Sequence, residues 1–528
     1  MDGSTHAPDS GPAGHRPVTA AEEAVAVALA DVRPALTAAY EARLDGARAA
    51  VLTRLWRALA FEPLPWIARR EHGPGRLTLS LADGRRLEGP AADPYATDAY
   101  VREVSLDGRT HRQAARLVEA LGVPHGAAFA AELDDSTASL ALSRADAYAP
   151  DARGPGREPD TTWEWEQRVV DGHPYHPNCR SRPGFSVAEQ LAYAPEHRPV
   201  VTLPTVSVAA RECLVGGDWP DRLREGDRIL IPVHPWQAEH VLKGDAVGGD
   251  RGREGIAAHP LMALRTLAPV SGGPHVKTAL STRLTSSVRD ISGYSIETAA
   301  VVSAFAQSLG ERLEGRLHIT RTLGAVTAHS PDLAAVLREP PEAYAGPGER
   351  VVPVAALAGT EAARSASWRA EFARLALSVC LRALDLGVAL EAHGQNLLVV
   401  LAPDGRPVRL VYRDLADIRI SPARLARHGL AVPPLTGRLV TDDETVLRRK
   451  LFGSLAAGAL ASTAGSSAAF AEDLEAALDG LAPTADRAAL RSGPLPVKAL
   501  TLMRLSPGVP GDQWADLPRP STGDRIGG

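Results

Sequence analysis

The order of apolar and polar positions divides the chain into a helical start, a mixed middle and a helical end. Apolar residues recur at helical spacing through the Ala-rich stretch 19–54, and Pro34 predicts a break or a fresh start within it. Residues 77–81 and 85–87 flank Asp83-Gly84, a turn pair that predicts a β-hairpin. Between 161 and 340 the pattern changes. Segments 200–208, 228–233 and 275–280 are rich in β-branched or aliphatic residues and predict short strands, and 296–309 predicts an amphipathic helix. From 350 onward the helical pattern returns over 361–386 and 451–481. Two short apolar runs, 397–401 and 408–412, interrupt it around Pro403-Asp404-Gly405 and predict a second hairpin. Pro- and Gly-dense stretches at 150–160 and 340–348 predict boundaries. The expected fold is α+β: a mainly helical domain over 19–155, a mixed α/β domain over 156–345 and a helical domain with one hairpin over 346–506. Segments 1–18 and 507–528, polar and rich in Gly and Pro, are expected to be disordered.

A chain of 528 residues is too long for one core, which accords with several domains. A net charge of -5 leaves no basic footprint, so nucleic acid is not an expected partner. No apolar run reaches the length of a membrane helix, and residues 1–17 lack the basic-then-apolar order of a signal peptide. Cys179, Cys213 and Cys380 are too sparse for a disulfide framework or a zinc knuckle, which points to the cytoplasm. Lysine occurs only at 243, 277, 450 and 498, while arginine is abundant. A lysine kept inside a polar motif therefore points to a need for a compact ammonium.

Four segments carry candidate chemistry. In the first, His173-Pro174-Tyr175-His176-Pro177 is followed by Arg180 and Arg182. The prolines hold the loop extended, and two His with two Arg could present donors to a polyanionic acid. A metal site at His173 and His176, or plain structural histidines, are the alternatives. In the second, Arg265-Thr266 precedes Lys277, and Thr285, Ser286 and Arg289 follow it. Here a strand carrying Lys277 leads to hydroxyls placed to cap a helix, whose N-terminus would attract phosphate. In the third, Glu391-Ala392-His393-Gly394-Gln395-Asn396 precedes the 397–412 hairpin and Arg413-Asp414 follows it. The hairpin would set Asn396 beside Asp414, two oxygen donors suited to a shared Mg²⁺, an order also found in kinase-like phosphotransferases. The alternative is a hairpin with polar ends making only turn bonds. The fourth, His234-Pro235-Trp236-Gln237, reads as a structural strand end.

In this order, the segments resemble the aerobactin-synthetase (IucA/IucC) family of siderophore synthetases that work without a peptide-synthetase assembly line. The resemblance spans 165 to 420, with a plausible helical extension to about 505. It implies a three-lobed cupped hand, with thumb, fingers and a palm bearing the kinase-like hairpin. It implies a ligase that adenylates a carboxylic acid with ATP and Mg²⁺ and joins it to an amine or alcohol. By the same resemblance, Arg265, Thr266, Lys277, Thr285, Ser286, Glu391, Gln395, Asn396 and Asp414 contact the nucleotide, and Asn396, Asp414 and Glu391 hold the metal. His173, His176, Arg182, Thr285, Arg289 and His393 hold the acid, with Lys277, Arg289 and His393 catalytic. Small-molecule acid and amine or alcohol are the implied partners, with neither nucleic acid nor membrane, and a homodimer is compatible. Two positions depart from the family: Ala263 stands where Ser is common and Arg180 where Lys is common. The rivals are a small-molecule kinase, a non-catalytic acid- or siderophore-binding protein, and the same chemistry in another metallophore pathway.

Overall fold

The computed structural model describes residues 16–147, 158–242, 255–284, 287–328 and 330–522. Helix Ala20–Val32 begins where the Thr19 hydroxyl accepts a hydrogen bond from Glu22 N. Pro34 then opens a 3-10 turn, Pro34–Leu36, before helix Thr37–Phe61. With helix Gly126–Ala147 these bury Leu29, Tyr40, Leu55, Trp56 and Leu140 in one core. This part is less helical than its pattern predicts. It holds a five-stranded antiparallel meander from Ile67–Gly73 to Arg109–His111, and the predicted hairpin is its second and third strands. Ile67–Gly73 is mostly exposed, so no apolar alternation marks it.

The middle of the chain forms a seven-stranded antiparallel sheet. The predicted strand at 200–208 divides at Pro204: Val201–Leu203 joins this sheet, while Thr205–Ala209 pairs with Arg228–Pro232 in a smaller one. The expected helix after Lys277 is absent. Leu280–Leu284 and Ser287–Arg289 pair as an antiparallel hairpin instead, and the next helix, Gly293–Glu297, is capped by Ser292. β-branched Thr282 and Val288 favour that extended backbone. Thr285 and Ser286 lie outside the described residues.

A third core gathers around a sheet ordered Leu317–Ile319, Pro407–Tyr412, Leu397–Leu401, Arg350–Pro353, with the predicted hairpin at its centre. Helix Ala366–Leu386 contributes Phe372, Leu377 and Cys380 to this core, and helix Ala299–Glu311 contributes Val302, Ala306 and Leu309. The core therefore draws on sequence well before the proline-rich stretch at 340–348. The long helix expected over 451–481 is interrupted: Glu444–Leu451 runs into a π-helix, Phe452–Leu460, and Gly465 (φ 79°) ends the run before Ser467–Asp479. The expected disordered tail is partly ordered. Trp514–Leu517 pairs with Leu495–Lys498, and the Tyr95 hydroxyl donates to Pro518 O at 2.6 Å. Among the described residues no helix is long and apolar enough to cross a membrane.

Candidate active site

The 397–412 hairpin places Leu397 opposite Tyr412, so the residues flanking the pair become neighbours and Arg413 N donates to Asn396 O at 3.0 Å. The polar loop before it needs glycine at 394. A Cβ there would lie 3.0 Å from both the N and the Cα of Ala355, whose N–H donates to Gly394 O at 2.9 Å. Just past the hairpin, Asp414 adopts a left-handed backbone (φ 72°, ψ 84°). Such a conformation costs about 1–3 kcal/mol for a non-glycine residue and persists only where the surroundings enforce it.

Two cations enforce it. Lys277 Nζ donates to Asp414 Oδ2 at 2.8 Å, and Arg338 donates to Oδ1 at 2.9 Å. Both come from adjacent strands of the central sheet, His275–Thr278 and Ser330–Arg338. Burial by itself would raise the Asp414 pKa, but Arg338, Lys277 and Arg265 hold it well below the usual carboxylate range. Burial acts oppositely on Lys277, lowering it to about 7 despite the attraction of Asp414, with Arg338 and Arg265 adding repulsion. Asp414, Asn396, Gln395, Thr266 and Arg338 line one cleft. A buried bridge ties its walls together: Arg413 donates to Glu166 Oε1 at 2.7 Å, and Glu166 Oε2 accepts from Met262 N at 2.8 Å.

Two histidines approach this region in a defined tautomer. His393 Nδ1 accepts from Gln395 N, and His173 Nδ1 accepts from Tyr175 N, each at 3.2 Å. An Nδ1 that accepts leaves the proton on Nε2, so each ring is a neutral Nε2–H donor. Burial lowers the His393 pKa, only partly offset by Glu391. The His173 ring is open to solvent, yet the surrounding protein, then His176, His393, Arg54 and Arg57, hold it well below its ordinary value.

Not every candidate residue joins the cleft. Arg182, expected to bind substrate, is buried and donates to Glu196 Oε1 at 2.6 Å. Arg180 lies 3.3 Å from the same oxygen. Both serve the interior because Glu196 is itself fully buried and requires counter-charge. His176 is buried edge-on to His173, 6.1 Å between ring centres. Glu391, expected on the metal, instead accepts from Lys450 at 3.0 Å and Lys498 at 3.2 Å. Its backbone carbonyl orients the Asn396 amide at 3.3 Å. Arg289 sits on the 280–289 hairpin, its side chain outside the described residues. The 234–237 motif is structural: His234 Nδ1 caps its helix at Trp236 N, and Gln237 holds Ser281 through both amide atoms at 2.8 and 2.9 Å.

Arg338, Glu166, Lys450 and Lys498 escaped the sequence reading as site residues. Arg338 ends a strand with no motif around it, and only its pairing opposite His275 brings it to Asp414. The lysine scarcity was the available signal for Lys450 and Lys498, and Glu166 had none. All three described lysines outside position 243 pair with acids of the 391–417 region: Lys277 with Asp414, Lys450 with Glu391 and Asp417, Lys498 with Glu391.

Residues 161–359 match the IucA / IucC family, and residues 366–478 match the ferric iron reductase FhuF-like transporter family. The chain is 25% identical over 313 residues to the citryl-spermidine/3,4-dihydroxybenzoyl-citryl-spermidine:spermidine ligase of Bacillus anthracis, covering 48% of this chain and 51% of the relative. It is 23% identical over 367 residues to the D-ornithine--citrate ligase of Staphylococcus aureus, covering 55% of each. The matches thus span about half the length of these curated relatives. In fold, the chain is similar to the petrobactin biosynthesis protein AsbB of Bacillus anthracis, with a TM-score of 0.73 at 18% identity over 95% of this chain and 98% of that one. It is also similar to the ATP-bound aerobactin synthetase IucA of Klebsiella pneumoniae, with a TM-score of 0.67 at 21% identity over 89% and 99%.

Proposed function

We propose that the chain is a siderophore synthetase of the IucA/IucC family that adenylates a carboxylic acid with ATP and condenses it with an amine or alcohol. The observation that carries the reading is the pairing of Lys277 and Arg338 with Asp414, which lines one cleft together with Arg338 and Asn396. A phosphoryl group entering there would find two cations held by a single carboxylate, which it can replace as their partner. The names of the two ligase relatives both contain citrate or a citryl group, which favours a citrate-like acid and an amine nucleophile.

In the proposed first step a carboxylate oxygen attacks the α-phosphorus of ATP, and the bond to pyrophosphate breaks. In the second, the amine or hydroxyl attacks the acyl carbon and loses its proton, and AMP leaves with the electron pair of the C–O bond. Lys277, Arg338 and Arg265 offset the phosphate charge, while Thr266 and Gln395 border the nucleotide. The neutral Nε2–H groups of His173 and His393 orient the acid, together with Arg289 on its hairpin. Asn396 and Asp414 fit Mg²⁺. Both are oxygen donors on one wall, and the Asn396 amide nitrogen is occupied by Glu391 O, which leaves its oxygen for a cation. When bound, the ion supplies positive charge to the phosphates. The proposed setting is the cytoplasm, with which three free cysteine thiols accord.

The test is to incubate the full chain with ATP, Mg²⁺ and a panel of di- and tricarboxylic acids, trapping acyl adenylate with hydroxylamine. Carboxylate-dependent AMP and pyrophosphate are expected. ADP in their place would turn the assignment toward a kinase-like phosphotransferase. Adenylation confined to acids outside siderophore chemistry would move the same reaction to another metallophore or natural-product pathway.

A further inference from the structure

The hairpin that carries Asn396 stops one residue short of Asp414. Its end is closed by Arg413 N donating to Asn396 O, and the chain then turns into the left-handed Asp414. Lys277 and Arg338 hold the Asp414 carboxylate from the central sheet, but those bonds go to the side chain and not to the backbone. The backbones of the two segments, 391–396 and 414–417, need a further tie to fix them against each other.

Two buried side chains supply it. The Tyr412 hydroxyl accepts from Glu391 N at 3.2 Å and donates to Asp414 O at 3.3 Å. One oxygen thus joins the start of the loop to the residue after the hairpin, with a lone pair on one side and its single proton on the other. Lys450, near the end of helix Glu444–Leu451, donates to Glu391 Oε1 at 3.0 Å and to Asp417 Oδ2 at 2.6 Å. Asp417 ends the 3-10 turn that Asp414 caps. Lys450 therefore repeats the Tyr412 connection through carboxylates in place of backbone. Charge balance alone does not call for it, since Glu391 also has Lys498 at 3.2 Å and Asp417 has Arg419 at 3.1 Å. What Lys450 adds is a bridge: a compact ammonium with three donors meets two acids on different segments at once. Glu391 acts on the cleft in turn through its carbonyl, which accepts from the Asn396 amide at 3.3 Å. A shift of Glu391 therefore turns Asn396.

We propose that Tyr412 and Lys450 are positioning residues, a clasp that holds the Asn396 oxygen and the Asp414 carboxylate at the separation a magnesium–nucleotide complex needs. The inference rests on the reading of Asn396 and Asp414 as the magnesium pair. Neither Tyr412 nor Lys450 is among the residues that line the cleft, so each acts through Glu391 and the 414–417 turn. Without the hydroxyl the Asp414 carbonyl loses its holder, and a left-handed backbone that is strained for a non-glycine residue is free to relax. Mg²⁺ demands near-ideal ligand geometry, so a small drift of either oxygen weakens its binding.

Calorimetric titration of the full chain with ATP, in Mg²⁺ and in EDTA, separates this role from general support of the fold. Tyr412→Phe keeps the ring and deletes one oxygen. It is expected to raise the Mg²⁺ concentration at half-maximal ATP binding roughly fivefold to tenfold, while ATP affinity in EDTA stays within about twofold of the parent. Lys450→Met is expected to do the same by a larger factor, and Lys450→Arg, which keeps a charge and several donors, to recover part of the loss. Equal weakening with and without Mg²⁺ in the folded variants would overturn the proposal and leave general supports. An unchanged Mg²⁺ dependence in Tyr412→Phe would overturn it too, whether or not Lys450→Met folds. If ATP binding by the parent does not depend on Mg²⁺, the reading of Asn396 and Asp414 fails first and the clasp with it.

Discussion

Two clusters in this protein share one recipe, a carboxylate between two cations, and differ in what surrounds them. Glu196 between Arg180 and Arg182 is closed. Its side chain is 0% exposed, the arginines are 7% and 3% exposed, and Ser143 adds a hydrogen bond at 2.7 Å. Asp414 between Lys277 and Arg338 is open: its side chain is 29% exposed, on a left-handed backbone at the wall of a cleft. A closed cluster cannot change partners without unfolding, so its energy goes into holding the domain. An open one can release its cations to an incoming anion. Charge and residue type do not separate the two cases; access does.

The comparison can be broken at either cluster. Glu196→Gln should have the largest effect, a loss of about 3–5 kcal/mol of stability, because two buried guanidiniums lose their shared charge. Chemical denaturation measures this, and a loss of adenylation at full stability would mean that the closed cluster is part of the site after all. Asp414→Asn should reverse the pattern, with adenylation falling by about two to three orders of magnitude and unfolding changed little. A large drop in melting temperature without a rate effect would make Asp414 structural.

Lys277 sharpens the contrast through pH. With its pKa lowered to about 7 in the free protein, its ammonium is present below that value and lost above it. ATP binding should therefore weaken as pH rises through about 7, and Lys277→Arg should flatten that dependence, since a guanidinium keeps its charge. The linked stability effect has the opposite sense. The unfolded chain holds the Lys277 proton up to about 10.5, so this group alone makes the fold more stable as pH rises from about 7 towards that value. Binding that is flat with pH in the parent would remove Lys277 from the phosphate site. The smallest expected effect is that of Gln237→Leu, which removes the amide bonds to Ser281 and the bond to Asp332 O, each of about 1 kcal/mol. It should loosen the 280–289 hairpin and raise the KM for the acid while leaving kcat alone; a change in kcat only would count against a positioning role.

Legibility followed range. The 397–412 hairpin and the meeting of its two ends were readable because a short turn and two apolar runs decide them locally; the backbone bond at those ends is made by Arg413, one position before the expected Asp414. The helix expected after Lys277 was misread because its hydroxyls suit a helix cap and a strand equally, and the hairpin geometry decided between them. Arg182 was misread for a different reason. An arginine in a polar loop looks the same whether it meets a substrate or a buried acid 14 residues on.

By itself the sequence determined most of the periodic elements and the hairpin that joins Asn396 to Arg413, because these depend on neighbours within a turn or a hairpin, and its composition marked the few lysines worth following. Tertiary structure alone decided which carboxylate each cation meets. Arg338 reaches Asp414 across 76 positions and Lys277 reaches it across 137, through sheet pairings that local pattern does not encode.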